Sequence, residues 1–109
     1  MKKRLLVAIL TLFVGLCGFA QEKMTEDERK KVLKQARAYF QMEEFTDAFK
    51  LYSILHEDDT NDARVNFELG MTTYEGSFNK LAAKKYLEKA ERDGNREDMP
   101  ELFYYMGRV

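Results

Sequence analysis

From Thr25 onward, apolar residues recur every three or four positions, the spacing that gathers one face of a helix. Thr25-Glu26-Asp27-Glu28 has the form of a capping box, a hydroxyl at N-cap and a carboxylate three residues on. Val32, Leu33, Ala36, Tyr39 and Phe40 continue the stripe and predict a helix to about Met42. Glu43 to Thr46 is a short joint in which Phe45 plugs the corner and Thr46 caps the next helix. That helix carries Ala48, Leu51, Tyr52 and Leu55 on one face. Asp58 to Asp62 ends it, and Thr60 or Asn61 caps a third helix over about 61–75. Val65, Leu69 and Gly70 lie on one side of the third helix, with Phe67, Met71 and Tyr74 on a neighbouring side. Glu75 to Asn79 is a second joint, with Asn79 as the cap of a fourth helix. Ala82, Ala83, Tyr86, Leu87 and Ala90 form its stripe, and Gly94 fits a left-handed C-cap. Glu97 to Pro100 opens a last helix containing Phe103, Tyr104, Tyr105, Met106 and Val109. No stretch alternates as a strand does, so the expected fold is all-α.

The helices come in pairs, and the pairs repeat. Ala36, Gly70 and Gly107 hold the small position of a first helix, at spacings of 34 and 37. Ala48 and Ala83 hold the small position of a second helix, 35 apart. Leu69-Gly70 and Ala83-x-x-x-Leu87-x-x-Ala90 carry the strongest form of the pattern. With Val32-x-x-Gln35-Ala36-x-x-Tyr39, Ala48-x-x-x-Tyr52-x-x-Leu55 and Phe103-x-x-Met106-Gly107, the chain resembles the tetratricopeptide repeat family. Four departures stand out: Gln35 replaces a leucine, and Tyr74 falls one place late. One residue is inserted before Asn79, and Thr60 stands where a proline often closes a repeat.

The resemblance implies antiparallel helix-turn-helix repeats stacked into a solenoid. It places about two full repeats at roughly 29–62 and 63–97 and the first helix of a third at 98–109. Ala36, Tyr39, Ala48, Tyr52, Leu69, Gly70, Ala83, Leu87, Ala90 and Gly107 become the repeat-packing residues. A narrower resemblance rests on Tyr86-Leu87-Glu88-Lys89-Ala90 and Phe103-Tyr104-Tyr105-Met106-Gly107-Arg108. It is to the N-terminal repeats of Gram-negative envelope proteins that continue into a propeller-like domain and a peptidoglycan-binding domain of the outer-membrane-protein-A type.

The first 20 residues follow another rule. Lys2, Lys3 and Arg4 precede an uncharged apolar run from Leu5 to Phe19, and Gly18-Phe19-Ala20 is a small-x-small cleavage site before Gln21. This predicts a signal peptide and an exported, periplasmic or outer-membrane-associated product. Leu16 stands where a lipoprotein signal wants a small residue, so Cys17 is read as part of the apolar run rather than as a lipid anchor. Cleavage would remove the one cysteine, and with it disulfides, thiolate metal sites and cysteine nucleophiles. It would also leave 15 of the 18 basic residues against 19 acidic ones, a balance that speaks against nucleic acid as a partner.

Catalytic chemistry is sparse. His56, the single histidine, sits late in a helix, where the dipole favours a cation. Ser53 and Ser77 have no neighbouring histidine. Asp58, Asp59 and Asp62 lack the glycine and distal glutamate of a calcium loop. No glycine-rich phosphate loop occurs. The expectation is a non-enzymatic segment without metal or cofactor, in which Tyr39, Tyr52, Phe78 and Tyr86 serve packing. The tetratricopeptide resemblance implies a concave face lined by the first helices of each pair. On that register the groove is Lys30, Leu33, Arg37, Phe40, Arg64, Phe67, Met71, Tyr74, Tyr104 and Arg108, an apolar strip with basic edges. The Lys and Asn set that grips carboxylates in some of that family is missing, since Leu33 and Arg37 stand in its first places. The functional expectation is a protein-interaction scaffold of the cell envelope; the alternative is a spacer or cap for a downstream envelope domain.

Overall fold

The computed structural model describes residues 23–109, and the predicted signal with Cys17 and the Ala20-Gln21 junction lies outside the described residues. The described chain is all-helical. Its elements are α1 (Glu26–Gln41), α2 (Phe45–Asp58), α3 (Ala63–Glu75), α4 (Lys80–Asp93), a 3₁₀ turn (Arg96–Asp98) and α5 (Leu102–Arg108). Each helix packs on the next in sequence, and α5 folds back on both α3 and α4. None of these helices is long and apolar enough to cross a membrane.

The two joints share one geometry. Glu43 and Ser77, 34 residues apart, both adopt left-handed backbone, with φ of 60° and 57°. Around Glu43, Met42 N–H donates to Ala38 O, Glu43 N–H to Phe40 O and Glu44 N–H to Tyr39 O. Around Ser77 the same three bonds recur 34 places on, from Gly76 to Thr72, Ser77 to Tyr74 and Phe78 to Thr73. After Phe78 one extra residue, Asn79, enters. From there the buried positions correspond at 35: Ala48 with Ala83, Tyr52 with Leu87, Leu55 with Ala90. Chain reversal therefore repeats at the level of individual hydrogen bonds.

The caps differ in part from expectation. Thr25 and Glu28 form the reciprocal capping box at 3.1 and 2.9 Å, and Asn79 accepts from Ala82 N–H at 3.0 Å. Thr46 does not cap α2. The left-handed turn at Glu43 reverses the chain so quickly that α2 begins at Phe45, whose ring meets Phe40 edge-on at 5.3 Å. Neither Thr60 nor Asn61 caps α3; Asp62 does, accepting from Val65 N–H at 3.2 Å. Asn61 N–H is already turned to Asp59 Oδ1, and Thr60 O receives the Asn66 amide. Gly94 is extended (φ −112°, ψ 178°), not left-handed. Glycine is needed there because a Cβ would lie 2.7 Å from Met99 Cε and 2.8 Å from Ala63 Cβ. Pro100 is not in the first turn of the last helix: Asn95 caps the 3₁₀ turn, and α5 starts after Pro100 and Glu101.

Two apolar clusters share α3 as their common wall. Ala36, Ala48, Tyr52 and Leu55 pack with Val65 and Leu69. Phe67 turns the other way, into Leu87, Ala90, Met99, Leu102 and Tyr105. Gly70 lets α4 approach, since a Cβ there would lie 2.8 Å from Leu87 Cγ and Cδ2. Gly107, predicted to play the same part, faces open space and is exposed. At the other end Arg29 clasps three elements: it donates to Asp58 at 2.5 Å and Asp62 at 2.8 Å, and to Leu55 O at 3.3 Å.

Candidate functional site

The stripe of first helices α1, α3 and α5 leaves a shallow cleft of about 260 Å³. Arg37, Phe40 and Gln41 come from α1, Tyr52 from α2, Glu68 and Met71 from α3; Glu101 and Tyr105 close the far side. Helical spacing brings these groups together, because Phe40 stands three residues after Arg37 on α1 and Met71 three after Glu68 on α3.

The floor is polar and saturated. Glu68 is buried, with 7% of its side chain exposed, and its two oxygens take three hydrogen bonds and one further ion-pair contact. Arg37 donates through Nε at 2.9 Å and Nη2 at 2.7 Å, a bidentate fork. Tyr52 donates its hydroxyl at 2.7 Å, and Arg64 Nε lies 3.2 Å away. The fork on Glu68 raises the Arg37 pKa further. Burial, then the adjacent carboxylate, pushes the Tyr52 hydroxyl far above its usual range, so it stays a donor. Arg37 and Arg64 are each a little under half exposed, so two guanidinium groups flank one carboxylate beside open solvent. Arg64 also donates to Asp98 O. The hub joins α1, α2 and α3 and draws in the 3₁₀ turn.

The far wall is aromatic. Tyr105 donates to Glu75 Oε2 at 2.6 Å and meets Tyr74 at 5.7 Å and Tyr104 at 5.1 Å, both edge-on. Burial and Glu75 together raise its pKa. Arg108 donates to the Tyr74 hydroxyl at 3.1 Å and lies over the Tyr104 ring.

Of the predicted groove residues, Arg37, Phe40 and Met71 line the cleft. Tyr74 and Arg108 stand beside it, bonded to each other, while Lys30 and Tyr104 are exposed without lining it. Leu33 packs against the first cluster. Phe67 is a correction: it is 2% exposed and belongs to the interior between α3, α4 and α5. Arg64 serves the hub beneath rather than the cleft wall. Glu68, Gln41, Glu101 and Tyr105 were missing from the predicted set, and Tyr52 was read as packing alone. For Glu68 a signal existed, since Arg64 precedes it by four on the same helix.

No conventional catalytic pair lines the cleft. His56 is elsewhere, edge-on to Tyr86 at 5.3 Å, and burial lowers its pKa, outweighing the carboxylates of Glu57 and Asp59, so it is not the held cation expected at that helix end. Among the described residues no cluster of His, Cys, Asp or Glu is placed to hold a metal ion. No protein-family model matches the chain, and neither curated proteins nor solved structures give a match.

Proposed function

We propose that this chain is a non-catalytic protein-interaction module of tetratricopeptide type, working in the cell envelope after export, and that its partner binds the cleft between α1, α3 and α5. The observation that carries this reading is the cleft itself. An exposed guanidinium, Arg37, stands beside Phe40, Met71 and Tyr105 over a floor whose own hydrogen bonds are complete. A saturated floor keeps its shape when water leaves, and amphipathic walls suit an extended or helical peptide segment. The 34-residue recurrence of the joints supports the repeat reading independently.

A photo-crosslinking side chain at Phe40 or Met71, in cells of the source organism, is expected to give one discrete protein adduct. The same side chain at exposed Thr46 should not give that adduct. Arg37→Ala should reduce the adduct while leaving helicity unchanged. Equal labelling at all three positions would sink the proposal.

A structural role is the second reading, and α5 favours it. Phe103 and Tyr104 are 54% and 56% exposed, which suits a junction with further protein. A spacer predicts no adduct at Phe40 or Met71 and a discrete one at Phe103.

A further inference from the structure

The start of α4 carries a surface that neither the core nor the cleft explains. From Gly76 to Leu87 no acidic residue occurs, in a chain that has 19. Lys80, Lys84 and Lys85 fall in this stretch, all exposed, and none of them joins an ion pair among the described residues. Folding alone argues against Lys80 there, because a lysine in the first turn of a helix opposes the macrodipole. Lys84 and Lys85 follow in the second turn, where the dipole neither favours nor opposes them. α1 carries Glu26, Asp27 and Glu28 in its first turn; the first turns of α3 and α4 have no acid, and of these helices α4 alone opens on a lysine.

Two large apolar side chains belong to the same stretch, Leu81 between Lys80 and Lys84 and Phe78 two residues before Lys80. Leu81 is 64% exposed and Phe78 is 43% exposed. Phe78 is not loose. Its ring covers Gly76 so closely that a Cβ there would lie 2.4 Å from it, and it packs on the Phe49 ring at 5.0 Å. The ring is thus supported from behind and offers its outer edge. A local rule broken without a folding gain marks a place to look for function.

We infer that this surface docks on an anionic lipid bilayer, with Phe78 and Leu81 entering the headgroup layer and Lys80, Lys84 and Lys85 facing lipid phosphates. Charge fixes the sign of the occupant, since three unpaired lysines call for anions. Size decides between a membrane and an acidic protein. A stable protein interface takes roughly 20–30 residues from each partner, whereas this surface comprises five side chains. A membrane surface is bound by the sum of small apolar area and Coulomb attraction, with no need for a complementary groove. The neighbouring hollow, lined by Tyr74, Glu75, Ser77 and Lys80, brings in Glu75, whose carboxylate is engaged by Tyr105. None of the residues from Gly76 to Leu87 lines the cleft, so this surface stands apart from the proposed partner site.

The chain has no tryptophan, which gives a clean readout. In the full chain, L81W places one indole on the surface, and I54W places one on a 48% exposed position of α2 as the control. With phosphatidylglycerol vesicles, L81W emission is expected to shift to the blue and be quenched by brominated lipid, while I54W emission stays unchanged. Each lysine contributes about fivefold to partitioning, so K80Q, K84Q and K85Q together in the L81W chain should weaken it on the order of 100-fold. All these positions are exposed, so circular dichroism should be unaltered. The inference fails if L81W does not respond, if it responds equally to phosphatidylcholine vesicles, or if I54W responds as strongly. It also fails if soluble polyglutamate produces the same shift, which would assign the surface to an acidic protein.

Discussion

α1 and α3 occupy equivalent places in two successive helix pairs, yet they are held in different ways. α3 buries eight residues, including the polar Asn66, Glu68, Thr72 and Thr73, whereas α1 buries only Ala36. α1 is instead capped by Thr25 and Glu28 and clasped through Arg29 and Arg37. The difference lies in neighbours. α3 touches α2 on one side and α4 with α5 on the other, while α1 has α2 alone as a principal partner. A helix covered on two sides must satisfy its polar groups internally. Thr72 and Thr73 do so by donating to the carbonyls of Glu68 and Leu69, and Glu68 does so through the hub. A helix covered on one side can attach by charge at its rim. Position in the stack, more than local propensity, sets how each helix is fastened.

The sharpest test of that contrast is the pair Leu69 and Gln35, which stand 34 residues apart in equivalent places. Leu69 is fully buried, and Leu69→Ala should cost about 2–5 kcal/mol, read by urea unfolding. Gln35 is exposed, and Gln35→Ala should change stability by less than about 0.5 kcal/mol. Similar losses at both sites would show that α1 is buried in the same way as α3.

Glu68 comes next. Glu68→Gln removes the charge that holds two guanidinium groups, with an expected loss of about 1–3 kcal/mol. The half exposure of Arg37 and Arg64 keeps the figure below that for a wholly buried pair, because water takes over part of their hydration. A double-mutant cycle with Tyr52→Phe should show coupling between the two sites. Strict additivity would mean that the 2.7 Å contact contributes nothing.

The helices were legible in the sequence because amphipathic period and cap chemistry are local. Thr25 with Glu28 and Asn79 acted as read, and the one-residue insertion, expected before Asn79 and found at Asn79 itself, appears as the shift from 34 to 35 between buried partners. Fastenings between helices were not legible. Arg37 read as a basic edge of the groove and not as the partner of a buried carboxylate, since Glu68 lies 31 residues away on another helix. Phe67 read as groove because α5 had not been placed against it. Gly94 read as a left-handed cap, although what demands glycine there is the crowding of Ala63 and Met99. In each case the deciding contact is long-range, and spacing along one helix carries no record of it.

Met42 and Gly76 extend the comparison to the joints. They are 34 apart and donate equivalent hydrogen bonds, yet one bears a long side chain. The backbone therefore does not require glycine at Gly76; the Phe78 ring lying over it does. Because the clash falls on the ring of Phe78, which is 43% exposed and can shift toward solvent while keeping its Phe49 contact, Gly76→Ala should cost less than about 1 kcal/mol. The double variant Gly76→Ala, Phe78→Ala should recover that loss. If it does not, backbone conformation rather than the ring sets the preference.

Acid should loosen α1 before α3 and α4 part, because α1 depends on ion pairs. Burial raises the Asp58 pKa, but the Met24 N–H and Arg29 outweigh it, so the folded value lies below the ordinary 3.8. Stability from that clasp is complete above 3.8 and is lost as pH falls through the lower folded value. Amide exchange below that pH should rise first in α1. His56 gives a smaller and earlier effect. Burial against Tyr86 lowers its pKa below 6.5, so as pH falls below 6.5 the unfolded chain takes up the proton before the folded one does. Stability therefore declines gently on the acid side of 6.5, and His56→Gln should flatten that slope while leaving the Asp58 step in place. The two substitutions separate the causes. Asp58→Asn loosens α1 already at neutral pH and removes its acid step, and His56→Gln removes only the shallow slope. If Asp58→Asn instead left the acid opening of α1 unaltered, the clasp would not be what fastens that helix.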